Sequence, residues 1–181
     1  MGRLSREQLH TDYPSAGKLL RARNLGGDAL LQRNLGGAQN CTITSLAFLF
    51  GAERYGEIER LALHRGYFPK WRGTNPFFIR AIMYRCRRRF GVSAHCRVAY
   101  GKGVMFTYRR IQRIIDGGEY LLLNLLRDGR GYYRDHTVTV IGYEEYEHAR
   151  FLLLYDNWNA AVSYLDYDKL SPIASINWLS R

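Results

Sequence analysis

The sequence predicts an α+β domain in which helices come first and an antiparallel sheet follows. Apolar residues recur at helical spacing through most of 40–91, whereas 92–181 contains short β-rich runs separated by turns. Strands this close in sequence favour antiparallel pairing, because a parallel crossover needs about a dozen residues or more. A chain of 181 residues can bury one core without disulfides or metal, so we expect a single domain over 1–181.

Apart from a short patch around Leu19 to Ala22, the first 39 residues show little sustained periodicity, which predicts an irregular N-terminal arm. The motif Asn-Leu-Gly-Gly occurs twice, at 24–27 and at 34–37. Glycine after asparagine is typical of turns, and the motif is too short to be a structural repeat unit. We therefore expect two turns in this arm.

Three helices are predicted in the helical half, 40–91. The first begins at Cys41, where Asn40 is the candidate N-cap and Gly51 closes the end. The third follows the candidate cap Asn75. The apolar positions at helical spacing are Ile43, Leu46, Ala47 and Phe50, then Tyr55, Ile58, Leu61 and Ala62, then Phe78, Ile79, Ile82, Met83 and Cys86.

The β-rich half, 92–181, contains one further short helix at 108–116, which Gly117 and Gly118 end. Runs rich in β-branched, aromatic and other apolar residues predict the strands. They lie at 92–100, 120–126, 136–143, 151–155, 162–166 and 173–179. The predicted turns between the later strands include 127–131 and 157–160.

The net charge of +11 is the one unusual bulk property. It predicts attraction to nucleic acid, an anionic membrane face or an acidic protein. A cluster at the end of the third predicted helix is the candidate site for an anionic partner. The alternative is that these side chains complement the helix dipole. The cluster consists of Arg85, Arg87, Arg88 and Arg89.

No apolar run approaches the roughly 18 to 20 residues that a membrane span requires. The N-terminus also lacks the apolar stretch of a secretory signal. We therefore expect no transmembrane segment and a cytoplasmic protein, with secretion as an effector as the alternative.

The cysteine and histidine pattern argues against a disulfide framework and against a structural zinc site. Cys41, Cys86 and Cys96 are an odd number with no Cys-x-x-Cys pair, and the five histidines are scattered. We expect neither a metal nor another cofactor.

Cys41 stands at the start of a helix, which is a chemically favoured position for a thiolate. The free N–H groups and the dipole of the first turn stabilise the charged sulfur, and a nearby histidine lowers the pKa of the thiol further. The alternative is an inert core cysteine. A histidine placed to act as a base would favour the catalytic interpretation over the inert one.

His136 is the best candidate base because it alone opens an alternating strand, at 136–143. This places a polar first residue at the rim of the sheet. By contrast, His10 lies in the arm, His64 near a helix end and His148 in a charged turn. The alternative is a strand-end histidine that makes a local hydrogen bond.

The next strand ends in two polar residues, Asp156 and Asn157, after five apolar ones. In an antiparallel hairpin the end of the second strand returns beside the start of the first. Either residue can therefore lie next to His136. A third group bonded to the imidazole fixes its tautomer and stabilises its charged form.

Three segments resemble the Cys, His and Asn/Asp segments of papain-like cysteine peptidases: QNCTITSLAFLF, HTVTVIGYE and LLLYDNWN. The order is also that of the family, and the chain is similar to small bacterial peptidase C39-like domains of the bacteriocin-processing type, which use Asp as third residue. The resemblance covers roughly residues 32 to 179. It implies a papain-like fold, with the Cys in the N-terminal helical half and His and Asp in the C-terminal antiparallel sheet.

The resemblance implies a role for each matching residue. Cys41 takes the place of the nucleophile, His136 that of the base and Asp156 that of the orienting residue. Asn157 is the alternative for the orienting role, one position along the strand. Trp158 takes the place of the tryptophan that covers the site.

The sequence departs from the family at the oxyanion donor. Members usually carry a Gln about six residues before the Cys, where this chain has Leu35. The backbone N–H of Cys41 is one half of an oxyanion hole. For the other half Gln39 is the candidate, among the nearby amides Gln32, Asn34, Gln39 and Asn40.

The expected activity is therefore hydrolysis of a peptide or isopeptide bond in a peptide or protein substrate. The same triad would also support glutamine deamidation or transglutaminase-like acyl transfer, which differ only in access and acceptor. A different class of function is an inactive papain-like binding module with a basic face.

Overall fold

The computed structural model describes residues 4–31, 39–63, 65–68, 73–125 and 135–181. These residues form helices and a mostly antiparallel sheet, which confirms the α+β class. The helices are α1 (Arg6–Asp12), α2 (Cys41–Phe50), α3 (Tyr55–Leu63), α4 (Ile79–Arg89) and α5 (Tyr108–Asp116). The strands are β1 (Leu19–Asn24), β2 (Tyr67–Phe68), β3 (Gly73–Thr74), β4 (His95–Tyr100), β5 (Leu121–Leu125), β6 (His136–Tyr146), β7 (Arg150–Tyr155), β8 (Ser163–Asp166) and β9 (Ser175–Ser180).

The main sheet has the strand order β4-β9-β5-β6-β7-β8, and every pairing in it is antiparallel. β6 is long enough to take two partners on one edge. Its first half pairs with β5 and its second half with β1. β2 and β3 form a separate two-stranded sheet.

Helices cover both faces of the main sheet. The alternation of side chains along β5 shows this, since Leu121 and Leu123 pack with Ile111 of α5 while Leu122 packs with Ile43 of α2. β5 is consequently buried along its whole length. A strand buried on both faces carries a continuous apolar run rather than an alternating one.

Most predicted elements differ from the observed ones only at their ends. α2 begins at Cys41 and α5 covers Tyr108–Asp116, as predicted. α4 begins at Ile79, three residues after the start at Pro76 that the cap Asn75 predicts, because Pro76–Phe78 form a 3-10 turn. The first strand of the β-rich half begins at His95 rather than Val92. The predicted turns at 34–37 and 127–131 lie outside the described residues.

The prediction of an irregular N-terminal arm was wrong, because this segment contains α1 and β1. A capping box starts α1: Ser5 accepts from the Gln8 backbone, and Gln8 accepts from the Ser5 backbone. This Ser-x-x-Gln signal was readable in the sequence. β1 could not be predicted in the same way, because all six of its residues are exposed. Among the described residues, β6 is the strand with which it pairs. At Gly142 of β6 any side chain would meet the β1 backbone.

Within the described ranges, no helix combines the length and the apolar character needed to cross a membrane.

Candidate active site

Cys41 is the first residue of α2 and is partly exposed. Asn40 occupies the N-cap position as predicted, but its side chain makes no cap hydrogen bond. Instead Asn40 Nδ2 donates to the Tyr55 hydroxyl at 2.6 Å, which ties the start of α2 to α3. The beginning of the helix is therefore fixed by a buried contact directly beside the sulfur.

His136 is the first residue of β6 and is only 6% exposed. Its ring is hydrogen-bonded to Cys41. Nε2 lies 2.7 Å from the main-chain carbonyl oxygen of Asp156, at the end of β7. Nε2–H is then the donor, which leaves Nδ1 for the Cys41 thiol. The fold thus brings together three candidate residues that are far apart in sequence.

The electrostatics distinguish Cys41 from the other two thiols. Burial raises the pKa of Cys41, but the hydrogen bond and charge of His136, with hydrogen bonds from Thr137, outweigh burial and lower the pKa below its ordinary value. Burial raises the pKa of Cys86 to about 12 and also raises that of Cys96. Of the three cysteines, Cys41 alone is biased toward the thiolate.

The imidazole is biased toward its charged form. Burial lowers the pKa of His136, but the Cys41 hydrogen bond and charge outweigh it, together with the Asp156 carbonyl and the Asp156 charge. The net pKa lies above its ordinary value. Each member of the pair therefore favours the charged state of the other.

The Asp156 carboxylate, which is fully buried, holds the turn that follows β7. Its Oδ1 accepts from the backbone N–H of Trp158 at 2.9 Å and of Asn159 at 3.3 Å. This turn carries the indole of Trp158 onto the imidazole of His136, with ring centroids 4.3 Å apart and planes 26° apart. Asp156 thus contacts the imidazole through its carbonyl and positions the covering ring through its carboxylate.

Asn157, the alternative orienting residue, lies against the cysteine helix instead. Its Nδ2 is 3.2 Å from the carbonyl oxygen of Cys41, 2.9 Å from the Ser45 hydroxyl and 3.0 Å from the carbonyl oxygen of Thr137. Asn157 therefore joins α2 to β6, the two elements that carry the thiol and the imidazole.

Two residues at the site adopt backbone conformations that side chains rarely take. Among the described residues other than glycine, only Asp135 (φ 49°) and Asn157 (φ 68°) have positive φ. Asp135 immediately precedes His136, and Asn157 immediately follows Asp156. Such outliers cluster at functional sites, where the surrounding contacts hold them. Sequence reasoning overlooked Asp135, although Asp and Asn are the residues that tolerate this conformation.

Gln39, the candidate oxyanion donor, is exposed and precedes α2 by two residues. It packs against Gly73 of β3, where a side chain would meet the Gln39 backbone oxygen. The two-stranded sheet of β2 and β3 therefore lies beside the end of α2 that carries Cys41. Two further amides considered from the sequence, Gln32 and Asn34, lie outside the described residues.

The arginine cluster at the end of α4 is partly engaged within the fold. Arg87 donates to the Val92 carbonyl at 3.1 Å, and Arg89 forms an ion pair with Glu57. Arg88 is exposed. In the part of the chain that the structure describes, no three His, Cys, Asp or Glu side chains are arranged to hold a metal ion.

Replacing Asp156 with asparagine is expected to affect the site only modestly. The main-chain carbonyl that meets Nε2 survives the substitution, and an amide oxygen can still accept the turn's N–H groups. Loss of the charge lowers the pKa of His136, so we expect Cys41 to be acylated by a thioester about three- to tenfold more slowly. A loss of about 10⁴-fold, the size typical of a triad whose carboxylate sets the tautomer, would contradict this account.

No protein-family model matches this sequence, and no curated protein matches it at a significant level.

Proposed function

We propose that the protein is a papain-like cysteine peptidase that hydrolyses a peptide or isopeptide bond. Cys41 is the nucleophile, His136 the base, and Asp156 the residue that orients the base. The single observation that carries the proposal is the contact of the Cys41 thiol with a buried imidazole whose other nitrogen is held at 2.7 Å by a fixed acceptor. A nucleophile, a base and an orienting group in this relation are the general signature of covalent acyl transfer.

The proposed reaction begins with attack of the Cys41 thiolate on the carbonyl carbon. His136 gives its proton to the leaving amine, and the acyl group remains on sulfur as a thioester. His136 then takes a proton from water as water attacks the thioester, which releases the carboxylic acid and restores the Cys41 thiolate beside the protonated imidazole. The raised pKa of His136 and the lowered pKa of Cys41 both favour the charged pair that starts this cycle.

The backbone N–H of Cys41 is the proposed first donor to the oxyanion. The amides of a helix's first turn point away from the helix and lack partners within it. A developing negative charge beside the sulfur is stabilised by such donors. Gln39 remains the proposed second donor, because it lies next to this turn and is exposed.

We expect the protein to produce acyl-transfer products that depend on Cys41. The protein is incubated with a peptide library prepared from a digested proteome, and mass spectrometry records new chain ends, deamidated glutamines and cross-linked amines. Cys41→Ala should lower product formation by at least about 10³-fold. New chain ends identify hydrolysis of a peptide bond. Deamidated glutamines or cross-linked amines would instead identify glutamine deamidation or transfer of the acyl group to an amine.

Cys96→Ala is the matched control, because it removes another thiol while leaving the site intact. It should retain the activity of the unaltered protein. If Cys41→Ala and the unaltered protein give the same products at the same rate, Cys41 is not the nucleophile and the proposal fails.

A further inference from the structure

A row of buried polar residues crosses three strands beneath the cysteine helix. Asn124 of β5 is paired with Thr137 of β6 on one side and with Ser175 of β9 on the other. Side chains of directly paired residues lie on the same face of a sheet. All three are buried, so each polar atom must find its partner within the protein.

Hydrogen bonds join this row into one chain that reaches α2. Asn124 Nδ2 donates to Ser175 Oγ at 3.1 Å, and Thr137 Oγ1 donates to Asn124 Oδ1 at 2.7 Å. The Thr42 hydroxyl lies 2.8 Å from Thr137 Oγ1. A hydroxyl has one hydrogen to donate, so with the Thr137 hydrogen on Asn124 the donor must be Thr42. These hydrogen bonds therefore link Thr42, the residue after Cys41, to Thr137, the residue after His136.

Thr137 also touches the sulfur itself. Both its backbone and its side chain are hydrogen-bonding neighbours of Cys41 and favour the thiolate. Its carbonyl oxygen is held by Asn157, which also contacts the carbonyl oxygen of Cys41. Among the residues that the structure describes, His136 and, from β2, Tyr67 are titratable groups that interact with Cys41. The Thr137 hydroxyl thus stands between two acceptors, an amide oxygen and a sulfur.

We infer that Thr137 is a positioning residue whose hydroxyl turns between Asn124 and Cys41. When the thiol is protonated, the hydroxyl donates to Asn124 Oδ1. When the thiol proton moves to His136, rotation about the Thr137 Cβ–Oγ bond carries the hydroxyl hydrogen to the sulfur, which is then a strong acceptor. No covalent bond forms or breaks in this step, and Thr42 continues to donate to Thr137.

This inference rests on the proposed function, since it assumes that Cys41 ionises during the reaction. A merely structural row would need the same residues for packing but would not respond to the charge of the sulfur. The distinguishing property is therefore the pH dependence of Cys41, rather than stability.

Thr137→Val tests the inference, because valine has the shape of threonine without the hydroxyl. The rate of Cys41 alkylation by iodoacetamide is measured against pH by peptide mass spectrometry. We expect the midpoint to rise by about half to one pH unit, which is roughly a three- to tenfold loss of thiolate below the midpoint. Thr137→Ser, which keeps the hydroxyl, should restore the original midpoint.

Thr139→Val is a matched control on the same strand and the same face. Thr139 is fully buried, and its hydroxyl has no hydrogen-bond partner within the described ranges. Thr139→Val should leave the alkylation midpoint of Cys41 unchanged. Equal midpoints for Thr137→Val, Thr139→Val and the unaltered protein would overturn the inference while the proposed function stood. If the unaltered Cys41 lacks a lowered, His136-dependent midpoint, the proposed function itself fails.

Asn124→Leu gives a second test with the opposite sign, and it remains informative if Thr137→Val does not fold. Removing Asn124 Oδ1 leaves the sulfur as the acceptor for the Thr137 hydrogen. We expect the alkylation midpoint to fall below that of the unaltered protein. A midpoint that rises or does not move would overturn the inference, because it would show that the hydroxyl is not shared between the two acceptors.

Discussion

Replacing Asn157 with leucine is expected to destabilise the protein by about 3 to 5 kcal/mol. The substitution removes an amide whose two hydrogens are shared among three oxygens, on Cys41, Ser45 and Thr137, and each buried group left without its partner costs roughly 1 to 3 kcal/mol. Leucine must also adopt the positive φ of this position, which costs about 1 kcal/mol more. The free energy of unfolding in urea, followed by circular dichroism, measures the effect.

Asn177→Leu is the control for this prediction. Asn177 is also fully buried, but neither its Nδ2 nor its Oδ1 has a hydrogen-bond partner among the residues that the structure describes. Replacing a buried polar group that lacks partners with an apolar one is expected to be neutral or stabilising. Equal destabilisation by Asn157→Leu and Asn177→Leu would show that Asn157 does not hold α2 to β6.

The fold could be predicted from sequence wherever an element carries its own local signal. α2 has apolar residues at helical spacing and ends at Gly51, and α5 is amphipathic and ends before Gly117. β1 has no such signal, because its six residues are exposed and only pairing with β6 makes it a strand. Tertiary pairing of this kind is not encoded in a local pattern.

The candidate site could be predicted in part. An antiparallel hairpin between the strands of His136 and Asp156 was expected, and β6 and β7 form it. The sequence could not reveal that the main-chain carbonyl of Asp156 meets the imidazole, since every residue has a carbonyl. Nor could it reveal the row through Thr137, because the register of three strands places those side chains together.

Replacing His136 with alanine is expected to abolish the bias of Cys41 toward the thiolate. The largest influences that lower the pKa of the thiol, a hydrogen bond and a charge, come from His136, whereas burial, the largest influence of all, remains and opposes the weaker Thr137 hydrogen bonds. The pKa should therefore move upward, past the ordinary value of about 8.5. Loss of the general acid and base should also slow acylation of Cys41 by a thioester by about 10² to 10⁴-fold. His95→Ala, which removes an exposed histidine of β4, is the control and should change neither quantity.

If Cys41 is a nucleophile that His136 activates, its thiol must ionise at a lower pH than the thiols of Cys86 and Cys96. Peptide mass spectrometry of the rate at which iodoacetamide alkylates each cysteine, from about pH 4 to about pH 9, measures this difference. The range runs from about the ordinary pKa of Asp to about that of Cys. We expect Cys41 alone to react with a midpoint below that of an ordinary thiol, Cys86 and Cys96 to stay unreactive, and His136→Ala to remove the difference. A Cys41 that titrates like the other two cysteines, or that keeps its low midpoint without His136, would show that His136 does not activate it.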